Sequence, residues 1–179
     1  MCPRPCSGCD SVTPAPIIVS ATFEASDFAL LDGLRRQHFP PERNQLSAHL
    51  TLFHHLPPDL APELRQRLNA ATRRQAPPQA WLGGIMNLGR GVALRVESPE
   101  LAAIRADLAD AFAPLLTPQD AGGWRPHVTI QNKVAPHEAR ALHEQLAAQF
   151  VRRPLVIAGL SAWYYRGGPW ELLSAHKFA

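Results

Sequence analysis

Two tetrapeptides of the chain share one pattern, in which a histidine and a threonine alternate with apolar residues. They are His49-Leu50-Thr51-Leu52, the first motif, and His127-Val128-Thr129-Ile130, the second motif. Side chains alternate between the two faces of a β-strand, so each histidine shares a face with its threonine while the apolar residues occupy the other. Composition alone predicts about 0.05 such tetrapeptides in a chain of this length. Two occurrences therefore indicate a function.

Two histidines and two threonines are suited to the hydrolysis of a phosphodiester. A neutral imidazole can remove a proton from the attacking water, and a protonated one can donate a proton to the departing oxygen. Histidine suits both roles because its unperturbed pKa lies near neutrality. Threonine hydroxyls can donate hydrogen bonds to the nonbridging oxygens, where charge accumulates. We therefore expect His49 and His127 to be catalytic and Thr51 and Thr129 to bind substrate, with no metal or cofactor.

The elements around the two motifs repeat after a shift of 78 residues, from position 49 to position 127. Each copy is predicted to contain a motif strand, a short loop, a proline-initiated helix and a hairpin with a glycine, Gly84 or Gly159. This repeat predicts an α+β fold of two lobes about a pseudo-twofold axis, each an antiparallel sheet with helices packed on its outer face. The matched positions are His49 and His127, Thr51 and Thr129, Leu56 and Val134, Pro58 and Pro136, Leu64 and Leu142, and Leu68 and Leu146.

The remaining elements follow from hydrophobic periodicity and from proline and glycine punctuation. We expect a flexible N-terminal tail over residues 1–15 and a single domain over 16–179, because the two lobes would share a sheet and a core. The chain between the helix that starts at Ser98 and the second motif is predicted to be a loop. The predicted segments are a strand at 17–23, a helix capped by Ser26-Asp27, a helix opened by Pro57-Pro58-Asp59, a hairpin of 81–87 and 92–96, helices from Ser98 to about 115 and over 136–150, and a hairpin over 155–178.

The paired motifs, in this order of elements, resemble the 2H phosphoesterase superfamily, in particular its 2′-5′ RNA ligase-like (RNA 2′,3′-cyclic phosphodiesterase) branch. The resemblance extends over residues 16–178 and implies a bilobal fold whose central groove is lined by the four motif residues. It further implies opening of a 2′,3′-cyclic phosphate to a 2′-phosphate without metal, with His49 as acid and His127 as base, although the residues alone do not distinguish these roles. In that family a proline often precedes the motif, as Pro126 does here, whereas Ala48 precedes the first motif.

Several residues near the motifs are weaker candidates. Arg125 lies two positions before His127, on the same face of an extended strand, and is a candidate phosphate or ribose contact as well as a plausible surface arginine. Trp124 could stack on a base or cap the sheet edge, Lys133 could face the ligand, and Tyr165-Arg166 could form a base platform at a hairpin tip. Zinc at His54-His55 is disfavoured, because consecutive strand residues point in opposite directions and no carboxylate or thiol is expected to join them.

Composition restricts the partners. A net charge of +3, carried almost entirely by arginine, is compatible with a nucleic-acid ligand. The expected partner is RNA with a 2′,3′-cyclic phosphate end or a cyclic nucleotide, and we expect a cytoplasmic monomer without signal peptide or membrane segment. Cys2, Cys6 and Cys9 are read as free thiols of the tail in preference to a metal or iron–sulfur site. A noncatalytic RNA- or nucleotide-binding module on the same fold remains the alternative; its mark would be loss of a motif residue, and none is lost.

Overall fold

The computed structural model describes residues 15–179. The predicted N-terminal tail, with Cys2, Cys6 and Cys9, lies outside the described residues except for Ala15. The described part contains seven strands and five α-helices, together with three short 3-10 helices. In chain order they are β1 (Ile17–Phe23), α1 (Ala25–His38), β2 (Leu50–Leu56), α2 (Ala61–Thr72), β3 (Gln79–Asn87), β4 (Val92–Glu97), α3 (Pro99–Ala111), α4 (Pro118–Ala121), β5 (His127–Gln131), α5 (Pro136–Gln149), β6 (Arg153–Tyr164) and β7 (Glu171–Lys177), and the 3-10 helices are Pro41–Arg43, Pro58–Leu60 and Ala113–Leu115.

All strand pairs of the sheet are antiparallel, and the strand order is β1-β2-β5-β4-β3-β6-β7. Strand β1 also pairs with β6, so that β6 contacts β1 and β7 along its C-terminal half and β3 along its N-terminal half. The predicted mixed class, helices with an antiparallel sheet, is therefore confirmed. Between residues 15 and 179 no helix is long and apolar enough to cross a membrane.

The two strands that carry the motifs meet at a single residue pair, Leu50 with Val128. Both side chains are fully buried, as are Leu52 and Ile130, the last apolar residues of the two motifs. Each buried apolar side chain of this size contributes about 2 kcal/mol of burial free energy, which fixes the face that each strand turns to the core. The histidine and threonine of each motif must then lie on the opposite face.

Helix boundaries differ from the predictions at two places. The N-cap of α1 is Glu24, whose carboxylate accepts from the amide of Ser26, while the predicted cap residue Asp27 is buried and accepts hydrogen bonds from Arg153 and from the amide of Val156. Helix α3 ends at Ala111 and is followed by the 3-10 helix Ala113–Leu115, because a proline at position 114 cannot continue the hydrogen-bond ladder of an α-helix.

The segment before the second motif, predicted to be a loop, contains the short helix α4. Thr117 caps this helix, with its hydroxyl accepting from the amide of Asp120 at 3.3 Å, and Pro118 occupies a first-turn position. A proline after a threonine cap is a signal for helix initiation. The expectation of a structureless loop was wrong because a four-residue helix is too short to produce apolar periodicity.

Candidate active site

The pairing of Leu50 with Val128 determines how the two motifs face each other. In antiparallel strands the residues on either side of a matched pair are themselves opposite, so His49 lies across from Thr129 and Thr51 across from His127. Directly opposite side chains on one face of a sheet stand about 5 Å apart at Cβ. The register therefore brings both imidazoles and both hydroxyls to one patch.

Both motif histidines are held by the same hydrogen bond. Nδ1–H of His49 donates to the carbonyl oxygen of Ser47 at 2.7 Å, and Nδ1–H of His127 donates to that of Arg125, also at 2.7 Å. A carbonyl oxygen can only accept, so the proton of each neutral ring resides on Nδ1. The Nε2 atom of each ring is then the one that remains to exchange a proton with a ligand.

A cavity of about 370 Å³ contains all four motif side chains in its wall. It also reaches Arg125, Trp170 and the residues around α4. The volume exceeds what a phosphate group alone would fill and is in the range of small-molecule sites. We call it the central cavity.

Trp170, in the turn between β6 and β7, packs against His49 with ring centroids 4.6 Å apart and planes tilted by 54°. Burial is the main cause that lowers the pKa of His49, to about 4, and the positive charges of Arg35, His127 and His54 lower it further against the opposing hydrogen bond with Ser47. At neutral pH the Nε2 atom of His49 is therefore unprotonated in the free protein.

The threonines and the flanking residues are held through their backbones. The carbonyl of Thr51 accepts from Trp124 Nε1 at 3.0 Å, and the carbonyl of Thr129 accepts from Arg35 Nη1 at 2.7 Å. Trp124 therefore binds the backbone of β2, which lies between β1 and β5 and is not an outer strand of the sheet. Arg125 is exposed, lines the central cavity and supplies the carbonyl that orients His127.

One end of the central cavity holds a third imidazole. Register shifts in the pairing of β1 with β2 allow Leu52 and Phe53 both to be buried and leave His54 exposed at the cavity. Its Nδ1 lies 3.0 Å from Oδ1 of Asp120, a buried carboxylate that also accepts from the amides of His54 and His55. The inference that no carboxylate adjoins His54 was wrong, because Asp120 is 66 residues away in sequence.

Burial alone would raise the pKa of Asp120, but the hydrogen bonds from the side chain and amide of His54 and from the amide of His55 outweigh it and lower that pKa. Arg105 donates hydrogen bonds to the backbone carbonyls of Leu52 and Asp120, at 3.0 and 2.6 Å. Together, His54, Asp120 and Arg105 form a polar cluster that joins α4 to β2. In the described part of the chain no group of three or more His, Cys, Asp or Glu side chains is arranged to hold a metal ion.

Other predicted contacts lie outside the central cavity. Lys133 and Tyr165 line a neighbouring cavity, and Arg166 forms an ion pair with Glu171 at 2.8 Å. Three residues at the two cavities were not predicted from the sequence: Trp170, Asp120 and Arg35. An aromatic residue after Gly-Gly-Pro in a hairpin turn was an available signal for Trp170, whereas nothing local distinguishes the other two.

Comparison with protein-family models identifies one match. The model described as the 2′-5′ RNA ligase superfamily matches residues 23–169, which include both motifs and most of the described sheet. No curated protein sequence matches the chain.

Solved structures share the fold at low sequence identity. The protein TT0787 of Thermus thermophilus has a TM-score of 0.61 at 15% identity, covering 91% of this chain and 97% of its own. A structure described as a phosphoesterase has a TM-score of 0.57 at 18% identity, covering 93% and 99% of the two chains. E. coli LigT complexed with 3′-AMP has a TM-score of 0.55 at 19% identity, again covering 93% and 99%.

Proposed function

Because this chain belongs to the 2′-5′ RNA ligase superfamily, we propose that it is a metal-independent phosphodiesterase that opens 2′,3′-cyclic phosphates on RNA ends or nucleotides to 2′-phosphates. The observation that carries the proposal is the register at Leu50 and Val128, which sets each motif histidine opposite the threonine of the other motif. A nucleotide ligand is in keeping with E. coli LigT, a structural neighbour that was solved with 3′-AMP.

In the proposed reaction one imidazole acts as base and the other as acid. His49 is neutral in the free protein, so its Nε2 takes a proton from water as the water oxygen attacks phosphorus. The bond from phosphorus to O3′ breaks, and O3′ takes a proton from Nε2 of His127. The products are a 2′-phosphate and a free 3′-hydroxyl. This assignment reverses the one that the family resemblance implies, and it rests on the lowered pKa of His49, whose ring packs against Trp170.

The remaining polar groups of the central cavity act on the phosphate. The hydroxyls of Thr51 and Thr129 each stand beside a histidine and donate hydrogen bonds to the nonbridging oxygens, where negative charge increases in the transition state. Arg125 is exposed at the same cavity and contributes a cation. When a 5′-hydroxyl attacks phosphorus in place of water and the bond to O3′ breaks in the same way, the product is a 2′-5′ phosphodiester, so the proposed enzyme also catalyses reversible 2′-5′ ligation when 5′-hydroxyl ends are abundant.

The arrangement of strands supports the proposal of two lobes within one domain over residues 16–179. Strands β2 and β5 share only the pair of Leu50 and Val128, and each is followed by a helix and a hairpin. The proposed groove between the lobes is the central cavity, and the protein is proposed to act as a monomer because one chain supplies both motifs.

The proposal is tested by incubating the full chain with a nucleoside 2′,3′-cyclic phosphate, or with RNA ending in one, in excess EDTA. We expect hydrolysis to the 2′-phosphate at an undiminished rate, since no step needs a metal. Loss of activity in EDTA, with recovery on adding a divalent cation, would contradict the mechanism. Binding of the cyclic nucleotide without turnover would favour the noncatalytic alternative.

A further inference from the structure

A second cavity, of about 270 Å³, adjoins the central one, and His49 and Thr129 line both. Its other walls come from α1, from the segment before β2, from the turn after β5 and from the turn between β6 and β7. We call it the basic cavity, because three of its lining residues, Arg35, Arg43 and Lys133, are cations and none is an aspartate or glutamate.

Arg35 is the buried cation of this cavity, with only 4% of its surface exposed. Its Nε donates to Asn44 Oδ1 and to the carbonyl of Leu46, at 2.8 and 2.9 Å, and its Nη1 donates to the carbonyl of Thr129. All three acceptors are neutral, and over residues 15–179 no carboxylate forms an ion pair with this guanidinium. Burial lowers the pKa of Arg35, although the nearby carboxylate of Asp32, whose ion pair is with Arg36, partly opposes this effect. Burial of this cation therefore costs free energy, so an anion that entered the cavity would be bound favourably.

The other two cations lie at the rim and are exposed. Nη1 of Arg43 donates to the carbonyl of Lys133 at 3.4 Å, which joins the segment before β2 to the turn after β5. Lys133 has a φ of 62°, a left-handed conformation that a lysine adopts at a cost, and its amide donates to Asn132 Oδ1. Glu42 lies 3.9 Å from Nε of Arg43 but does not line the cavity.

We propose that the basic cavity binds a second phosphate of the substrate, the phosphodiester on the 5′ side of the nucleotide that carries the cyclic phosphate. This inference rests on the proposed function and narrows it, because the preferred substrate is then the end of an oligonucleotide and a cyclic mononucleotide is a poorer one. Since His49 and Thr129 line both cavities, the two phosphates are adjacent ones. Tyr165, 44% exposed on the same wall, is placed to stack on the preceding base.

The test measures binding of reaction products by calorimetry, so that its outcome does not depend on turnover. The ligands are a nucleoside 2′-phosphate, the corresponding 2′,5′-bisphosphate, and a dinucleotide that ends in a 2′-phosphate. We expect the dinucleotide to bind the wild type at least about tenfold more tightly than the 2′-phosphate, with the advantage falling as salt is raised. Arg43→Ala and Lys133→Ala should each weaken dinucleotide binding by about three- to tenfold and leave 2′-phosphate binding nearly unchanged.

Arg140→Ala is the matched control, because it removes one exposed arginine from α5, away from either cavity. The second phosphate site would be overturned if the wild type bound the dinucleotide and the 2′-phosphate with equal affinity. It would also be overturned if Arg43→Ala and Arg140→Ala lost equal amounts of dinucleotide affinity. A 2′,5′-bisphosphate that binds as tightly as the dinucleotide would overturn the oligonucleotide assignment. Failure of the proposed function is a separate result, namely no hydrolysis of any cyclic phosphate, and it leaves these binding ratios measurable.

Discussion

Replacing His49 or His127 by alanine is expected to reduce kcat/KM for a 2′,3′-cyclic phosphate by at least about 100-fold in each case. This is the usual contribution of a positioned acid or base, and both imidazoles present Nε2 as the exchangeable atom because Nδ1 is held by a backbone carbonyl. The double variant should have a kcat/KM only slightly below that of the less active single variant. The effects of replacing groups that act together in one step are strongly non-additive. We would measure initial rates at saturating and subsaturating substrate. Thermal unfolding of each variant would check that it is folded.

His55→Ala is the matched control for these variants. His55 lies on the same strand as Thr51, its side chain is exposed, and it does not line the central cavity. We expect its kcat/KM to stay within about twofold of the wild type, the scale of an ordinary surface substitution. Full activity in either His49→Ala or His127→Ala would contradict the two-histidine mechanism.

Replacing Asp120 by alanine is expected to lower the free energy of unfolding by about 3 kcal/mol. The carboxylate is 1% exposed and accepts from the amides of His54 and His55, which would be left without partners when it is removed. The loss should be full near neutral pH and should shrink as the pH falls through the lowered pKa of Asp120, below its ordinary value of 3.8, because the wild type then loses the same interaction. Urea denaturation at several pH values measures both effects.

Asp107→Ala controls for the loss of a carboxylate as such. Asp107 is exposed on α3 and takes part in no ion pair of the described residues, so its replacement should change the free energy of unfolding by less than about 0.5 kcal/mol. Equal stabilities of the Asp120 and Asp107 variants would show that the cluster around α4 does not hold β2 in place.

The motif strands could be predicted because the sequence pattern that indicates them lies within the strands themselves. Alternation of apolar and polar residues assigns faces to β2 and β5, and the repeat at a fixed shift pairs them before any contact is known. Prolines likewise indicated where α3 and α5 begin, since the first residues of these helices are Pro99 and Pro136. The structure agrees with these boundaries to within a few residues, because capping and periodicity depend on near neighbours only.

The partners of the motif residues could not be predicted, because they come from distant parts of the chain. Arg35 reaches Thr129 across 94 residues, and Asp120 reaches His54 across 66. Trp170 meets His49 only because the turn between β6 and β7 folds over the start of β2. Arginine and aspartate are usually exposed at the surface of a protein. Residue type alone therefore does not predict that Arg35 and Asp120 are buried beside the site.

Catalysis by the two histidines is tested by the dependence of kcat/KM on pH, measured for the wild type and for each single-histidine variant. We predict a bell-shaped profile for the wild type, with an acid limb near the pKa of His49, about 4, because kcat/KM reports groups of the free enzyme. His49→Ala should lose the acid limb and keep the alkaline limb. A wild-type profile without limbs, or a His49→Ala profile that retains both, would contradict catalysis by this pair of histidines.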